Sequence, residues 1–151
     1  MRLLSRRLAR WGARRLAAVL AGRALTCAVY GDCGRGHRIT ADTIERGGRL
    51  AVESVAAVWC EAMLDGLPRS TRKNGTFRPV VMDGGRVLDP EQVPPPLLWA
   101  MRLVAAHAAR DRVMCAALIG AVPDSEVEQH LKVLLHVAAQ SVATRSEEAV
   151  L

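Results

Sequence analysis

His107, Asp111 and Cys115 recur at steps of four, the spacing that stacks side chains on one face of a helix. A histidine, a carboxylate to orient it and a thiol are the raw material of nucleophilic catalysis. Distance works against that use. His107 and Cys115 would stand two turns apart, about 12 Å along the axis, too far for direct proton transfer. The expectation is a His–Asp pair beside a buried thiol, with no catalytic residue assigned. Cys27, Cys33 and His37 could supply three metal ligands, but their spacing is not that of a tight zinc knuckle and no second pair lies near. His130 and His136, six apart, point in different directions and make no chelating pair. Gly31-Asp32-Cys33-Gly34-Arg35-Gly36 lacks the GxGxxG spacing of a phosphate loop and follows no clear strand. No enzymatic activity, metal or cofactor is expected.

Charge carries a stronger signal. Arg2, Arg6, Arg7, Arg10, Arg14, Arg15 and Arg23 all precede the first acid, Asp32. Residues 24–151 hold 14 basic and 15 acidic side chains, so the net +6 belongs to the N-terminal 23 residues. Lysine occurs twice and isoleucine three times, while Ala, Arg, Gly and Val abound. That usage marks a GC-rich genome, and part of the arginine excess is therefore mutational in origin. An arginine-rich, acid-free, amphipathic segment fits four roles: the solvated first helix of a bundle, a targeting sequence (mitochondrial if the source is eukaryotic), a helix on an anionic membrane surface, or a phosphate-binding segment. Ser5-Arg6-Arg7 has the start of a twin-arginine signal, but Leu8-Ala9-Arg10 lacks its apolar sequel. A second basic stretch, Arg69, Arg72, Lys73 and Arg78, surrounds Asn74-Gly75 between a helix and a hairpin. Such a loop can lie along a phosphate backbone, although no helix-turn-helix pair precedes it. The candidate nucleic-acid or anionic-surface residues are thus Arg2, Arg6, Arg7, Arg10, Arg14, Arg15, Arg69, Arg72, Lys73 and Arg78.

The elements that must position these groups follow from periodicity. Leu4, Leu8, Trp11, Arg15 and Val19, with Leu16 and Leu20 beside them, predict an amphipathic helix over 3–22. Three glycines in six positions predict a loop over 31–38. Thr40 is then the expected N-cap of a helix over 40–65, stopped by Gly66 and Pro68, with Gly47-Gly48 as a soft spot or a place of close approach. Asp83-Gly84-Gly85 between short apolar runs predicts a β-hairpin, with Pro79 confining its first strand to an edge. Pro95 or Pro96 opens a third helix, placed at 96–121. Ser125 and Glu128 stand in capping-box spacing at the start of a fourth, placed at 124–144. The charges Arg102, Arg110, Asp111 and Arg112 speak against a membrane span in the third.

The chain of 151 residues is half apolar with only five aromatic side chains, so its core must be Ala, Leu, Val and Met. Four scattered cysteines do not make a disulfide scaffold, and a cytoplasmic or other reducing compartment is expected. The fold class is mainly all-α: a small four-helix bundle with one short β-hairpin between helices two and three. Residues 1–23 form a basic amphipathic N-terminal helix, 24–144 the bundle, and 145–151 a frayed tail. The function expected is a non-enzymatic helical interaction or oligomerisation protein, partnered by another protein or by itself. The alternative is a nucleic-acid-binding accessory or regulatory protein, with an anionic membrane surface as a further partner for the same arginines.

Overall fold

The computed structural model describes residues 2–68, 70–71 and 77–149, without the side chains of residues 2–5. Five helices account for most of it: α1 (Arg2–Val29), α2 (Cys33–Leu64), α3 (Pro95–Ala108), α4 (Arg112–Gly120) and α5 (Val127–Glu148). Strands β1 (Met82–Asp83) and β2 (Arg86–Val87) pair antiparallel, Met82 opposite Val87 and Asp83 opposite Arg86. Gly84 and Gly85 close the hairpin with φ of 55° and 83°, the left-handed pair that a tight hairpin turn demands. The chain is a mainly helical bundle with a small β-hairpin, as its composition and periodicity predict.

α1 runs to Val29 instead of ending at residue 22, so it reaches past the basic segment, and three further departures from expectation reshape the bundle. Residues 31–38 are not a loop, because α2 begins at Cys33. Asp32, not Thr40, caps it by accepting the Arg35 N–H at 3.0 Å. Thr40 is buried inside the helix, its hydroxyl donating to the Gly36 carbonyl at 2.8 Å. Gly36 serves packing rather than a turn. A Cβ there would sit 2.9 Å from the Ala24 carbonyl oxygen and 3.2 Å from Leu135, so only glycine lets α1 and α2 approach this closely.

Gly48 is the second departure. It adopts φ 56°, ψ −147° and breaks α2. Gly36 backs on Ala24, and the Trp59 indole N–H donates to the Ala21 carbonyl at 2.9 Å. A straight helix would hold Gly36 and Trp59 about 34 Å apart, yet their partners on α1 are one turn apart. The helix therefore doubles back at Gly48, and both halves flank the same stretch of α1.

The third departure splits the expected helix over 96–121 into α3 and α4, giving five helices among the described residues instead of four. Arg110, at φ 57°, ends α3. Its N–H bonds the His107 carbonyl at 3.0 Å and the Asp111 N–H bonds the Ala106 carbonyl at 2.9 Å, the closing pattern in which glycine is the usual residue. Asp111 then caps α4 by accepting the Met114 N–H at 2.9 Å. A 3-10 turn, Asp124–Glu126, leads into α5 with no side-chain cap bond, so Ser125 does not start that helix.

The core joins α1, α2, α3 and α5 through Trp59, Leu64, Leu103, Leu131, Leu134 and Leu135, each almost fully buried. Burying a leucine contributes about 1.5–3 kcal/mol. Side-chain bonds then tie distant helix ends. Arg145 donates to the carbonyls of Ala62 and Met63 at 2.6 and 2.9 Å, closing the C-terminus of α2. Arg49 donates to the Ile119 carbonyl at 2.7 Å near the end of α4, and Trp99 to the Leu118 carbonyl at 2.9 Å. Residues 145–148, expected as the start of a frayed tail, are helical and carry that anchor. Val150 and Leu151 lie outside the described residues.

Candidate functional site

α1 is the first candidate, because its two faces do different things. Ala17, Ala21, Ala24 and Ala28 are buried against the bundle. At about 100° per residue they share one narrow sector of the helix. Arg6, Arg10 and Arg14 continue that same line toward the N-terminus, where residues 6–16 are all exposed. The bundle-facing line thus changes from arginine to alanine where packing begins. Arg14 meets Glu53 at 3.7 Å with both side chains largely in water, a pair worth little. The opposite sector carries Leu8, Trp11, Leu16 and Val19, exposed by 64, 60, 60 and 56%. The stripe whose periodicity predicts the helix is therefore its free face. The alanine stripe packs on the bundle, and at Gly36 the α1 backbone comes so close that a Cβ there would sit 2.9 Å from the Ala24 carbonyl oxygen.

The predicted arginines divide accordingly. Arg6, Arg7, Arg10 and Arg15 are exposed along α1, with Arg15 stacked over Trp11 at 5.3 Å from the ring centre. Arg78 is exposed in the segment before β1. Arg69, Arg72 and Lys73 lie outside the described residues, as does the side chain of Arg2.

The second candidate is an open groove of about 1060 Å³. One wall is the α2 face Glu53, Ala57, Glu61 and Leu64; the facing one is Arg112, Cys115, Ala116 and Ile119 of α4. His107 and Arg110 close one end and Arg14 reaches in from α1. His107 Nε2 stands 3.0 Å from Glu61 Oε2. Asp111 does not orient His107: the break at Arg110 takes the two off a common helical face, and Asp111 caps α4 instead. Burial first, and the nearby Asp111 carboxylate second, push the Cys115 thiol above its ordinary value. Burial pushes the Cys60 thiol up too, with Cys115 contributing. A thiol whose ionisation is opposed is a weaker nucleophile, and the contact the groove displays is the charge pair of His107 with Glu61. Sequence reasoning missed Glu53, Glu61, Arg110 and Arg112. The first two were visible as an i, i+8 acidic row on α2, but nothing indicated that it would face α4.

Cys27, Cys33 and His37 do not converge on a ligand site, and no metal-holding group of three His, Cys, Asp or Glu side chains occurs among the described residues. Within those residues no helix is long and apolar enough to cross a membrane. The chain matches no protein-family model, and neither the curated proteins nor the solved structures hold a significant match to it.

Proposed function

We propose that this chain is a non-enzymatic docking module, a helical bundle that grips a long basic helix by its alanine face and offers the opposite face to a partner. One observation carries the reading: Leu8, Trp11, Leu16 and Val19 stand exposed together on α1, and Tyr30 just beyond it is 85% exposed. Single exposed apolar residues need no explanation, whereas an aligned set flanked by charge marks a contact surface. The separation of Asp111 from His107, with Asp111 engaged as the cap of α4, supports leaving catalysis out.

A second reading, nucleic-acid binding, is supported by Arg6, Arg7, Arg10 and Arg15, which are exposed and form no ion pair with an acid among the described residues. One experiment separates the two. The full chain is tested at low salt by light scattering and by binding to anionic vesicles and duplex DNA, beside a Leu8→Ser, Trp11→Ser, Val19→Ser variant. A docking module engages a partner through α1 and loses it in the variant. Binding to DNA that survives in the variant but disappears on Arg6→Gln, Arg7→Gln, Arg10→Gln identifies the second reading. A wild-type monomer that binds neither surface would refute both.

A further inference from the structure

We infer that the surface docked by α1 is an anionic lipid bilayer, on which the helix lies flat with the bundle above it. The inference rests on the docking reading and names its partner. Four observations meet here. Leu8, Trp11, Leu16 and Val19 fall within a sector of about 140° on the helical wheel, opposite the buried alanines, so membrane and bundle are approached from opposite sides without competing. A Cβ at Gly12 or Gly22 would meet nothing within 4 Å, so that sector is open at both positions, although Val29 at its far end packs against the core. From Leu8 to Val19 the exposed apolar stripe runs about 17 Å along the helix, which can lie in the interface plane. Trp11 sits on it and Tyr30 lies just beyond the end of α1, both with large exposure, the side chains that favour the headgroup region.

Charge decides the class of occupant. No acid occurs before Asp32, and Arg7, Arg15 and Arg23 flank or interrupt the apolar sector. A second copy of α1 on this face would bring like charges together, which opposes pairing. Duplex DNA would satisfy the arginines but leave Leu8, Leu16 and Val19 in water. An anionic bilayer takes both, its headgroups meeting the guanidiniums and its acyl boundary the leucine, valine and indole.

The molecule contains its own probe. Trp59 and Trp99 are buried, with 0% and 7% exposure, whereas Trp11 is 60% exposed. A change in tryptophan emission on adding vesicles therefore reports Trp11. The full chain should blue-shift on phosphatidylcholine vesicles containing phosphatidylglycerol, and not on phosphatidylcholine alone. Rising salt should reverse the shift. Trp11→Phe should abolish the shift while co-sedimentation with the vesicles persists. Arg7→Gln and Arg15→Gln, at exposed positions and checked for unchanged helicity, should each weaken binding roughly fivefold. Emission that stays put on the anionic vesicles, or moves equally on neutral ones, overturns the inference. In that event light scattering judges the docking reading separately. A wild-type dimer that Leu8→Ser, Val19→Ser reduces to monomer keeps that reading and discards the lipid, and a monomer throughout discards both.

Discussion

Arg110→Gly should stabilise the protein. Arg110 is the one non-glycine residue with positive φ among the described residues, and it occupies the position that ends α3. A left-handed conformation costs an L-residue roughly 1–2 kcal/mol. Glycine escapes that cost but raises the entropy of the unfolded chain, returning roughly 0.5–1 kcal/mol. The backbone bonds from the Arg110 and Asp111 N–H groups to the His107 and Ala106 carbonyls, 3.0 and 2.9 Å, survive the change. No ion pair of Arg110 with an acid occurs among the described residues, so its side chain contributes little to offset the gain. The net is a stabilisation of roughly 0.5–1 kcal/mol, or about 1–4 °C in Tm for a chain of this size. Reversible thermal unfolding followed by circular dichroism, with the urea midpoint as a second measure, reads it. Arg110→Ala is the control, since alanine keeps the φ penalty and should show no such gain. If the alanine variant gained as much as the glycine variant, or the glycine variant melted lower than wild type, the break between α3 and α4 would not be a strained helix end and the reasoning would fail.

Three further substitutions test the packing. Gly36→Ala places a methyl group 2.9 Å from the Ala24 carbonyl oxygen and should cost about 1–3 kcal/mol, read as a lower urea midpoint; an unchanged midpoint would mean that α1 and α2 do not meet this closely. Arg145→Met removes both donors to the Ala62 and Met63 carbonyls and should cost about 1–2 kcal/mol, with hydrogen exchange quickening in the last turn of α2. His37 is held below its ordinary value of 6.5 by burial and then by Lys132, with His136 adding and Glu128 opposing. The folded state therefore prefers it neutral: its contribution is intact above pH 6.5 and is lost as pH falls below that toward the lowered folded value. Glu128, held low chiefly by its hydrogen bond to Lys132, adds a separate loss below 4.5. His37→Gln should flatten the first of these two declines in a series of urea midpoints against pH and leave the second.

The helices were legible in the residues, and their breaks were legible only where glycine marked them. Gly47-Gly48 marked a soft spot in α2 without foretelling that the chain reverses there, and Gly84-Gly85 announced the hairpin. Arg110 announced nothing, because a strained helix end occupied by arginine differs from a helix interior only in backbone conformation. Gly34 and Gly36 misled in the opposite sense. Glycine serves equally for a turn or for close approach, and the contact that distinguishes them lies 12 residues away at Ala24. The same locality hid the groove. The row Glu53 and Glu61 could be read from spacing, but its meeting with His107 required the α2 reversal and the α3–α4 break together. The stripe His107, Asp111, Cys115 dissolved for the second of these reasons.

α1 poses the question that neither periodicity nor codon usage answers. A GC-rich genome enriches arginine and alanine throughout, but it does not sort them. On α1 part of the pattern is ordered: Arg6, Arg10 and Arg14 run in line with Ala17, Ala21, Ala24 and Ala28, changing identity where the bundle begins, while Leu8, Trp11, Leu16 and Val19 share the other side with Arg15 and Arg23. The bundle explains the alanines, which are buried against it. It places no requirement on residues 6–16, all of them exposed; there glutamate or lysine would serve the fold as well as Leu8 or Trp11 and leave less apolar surface in water. A pattern that the fold does not require, and that mutation bias does not produce, is what the contact proposed above would account for: apolar side chains interleaved with Arg15 and Arg23 and bordered by Arg7 fit an apolar boundary under a negative surface.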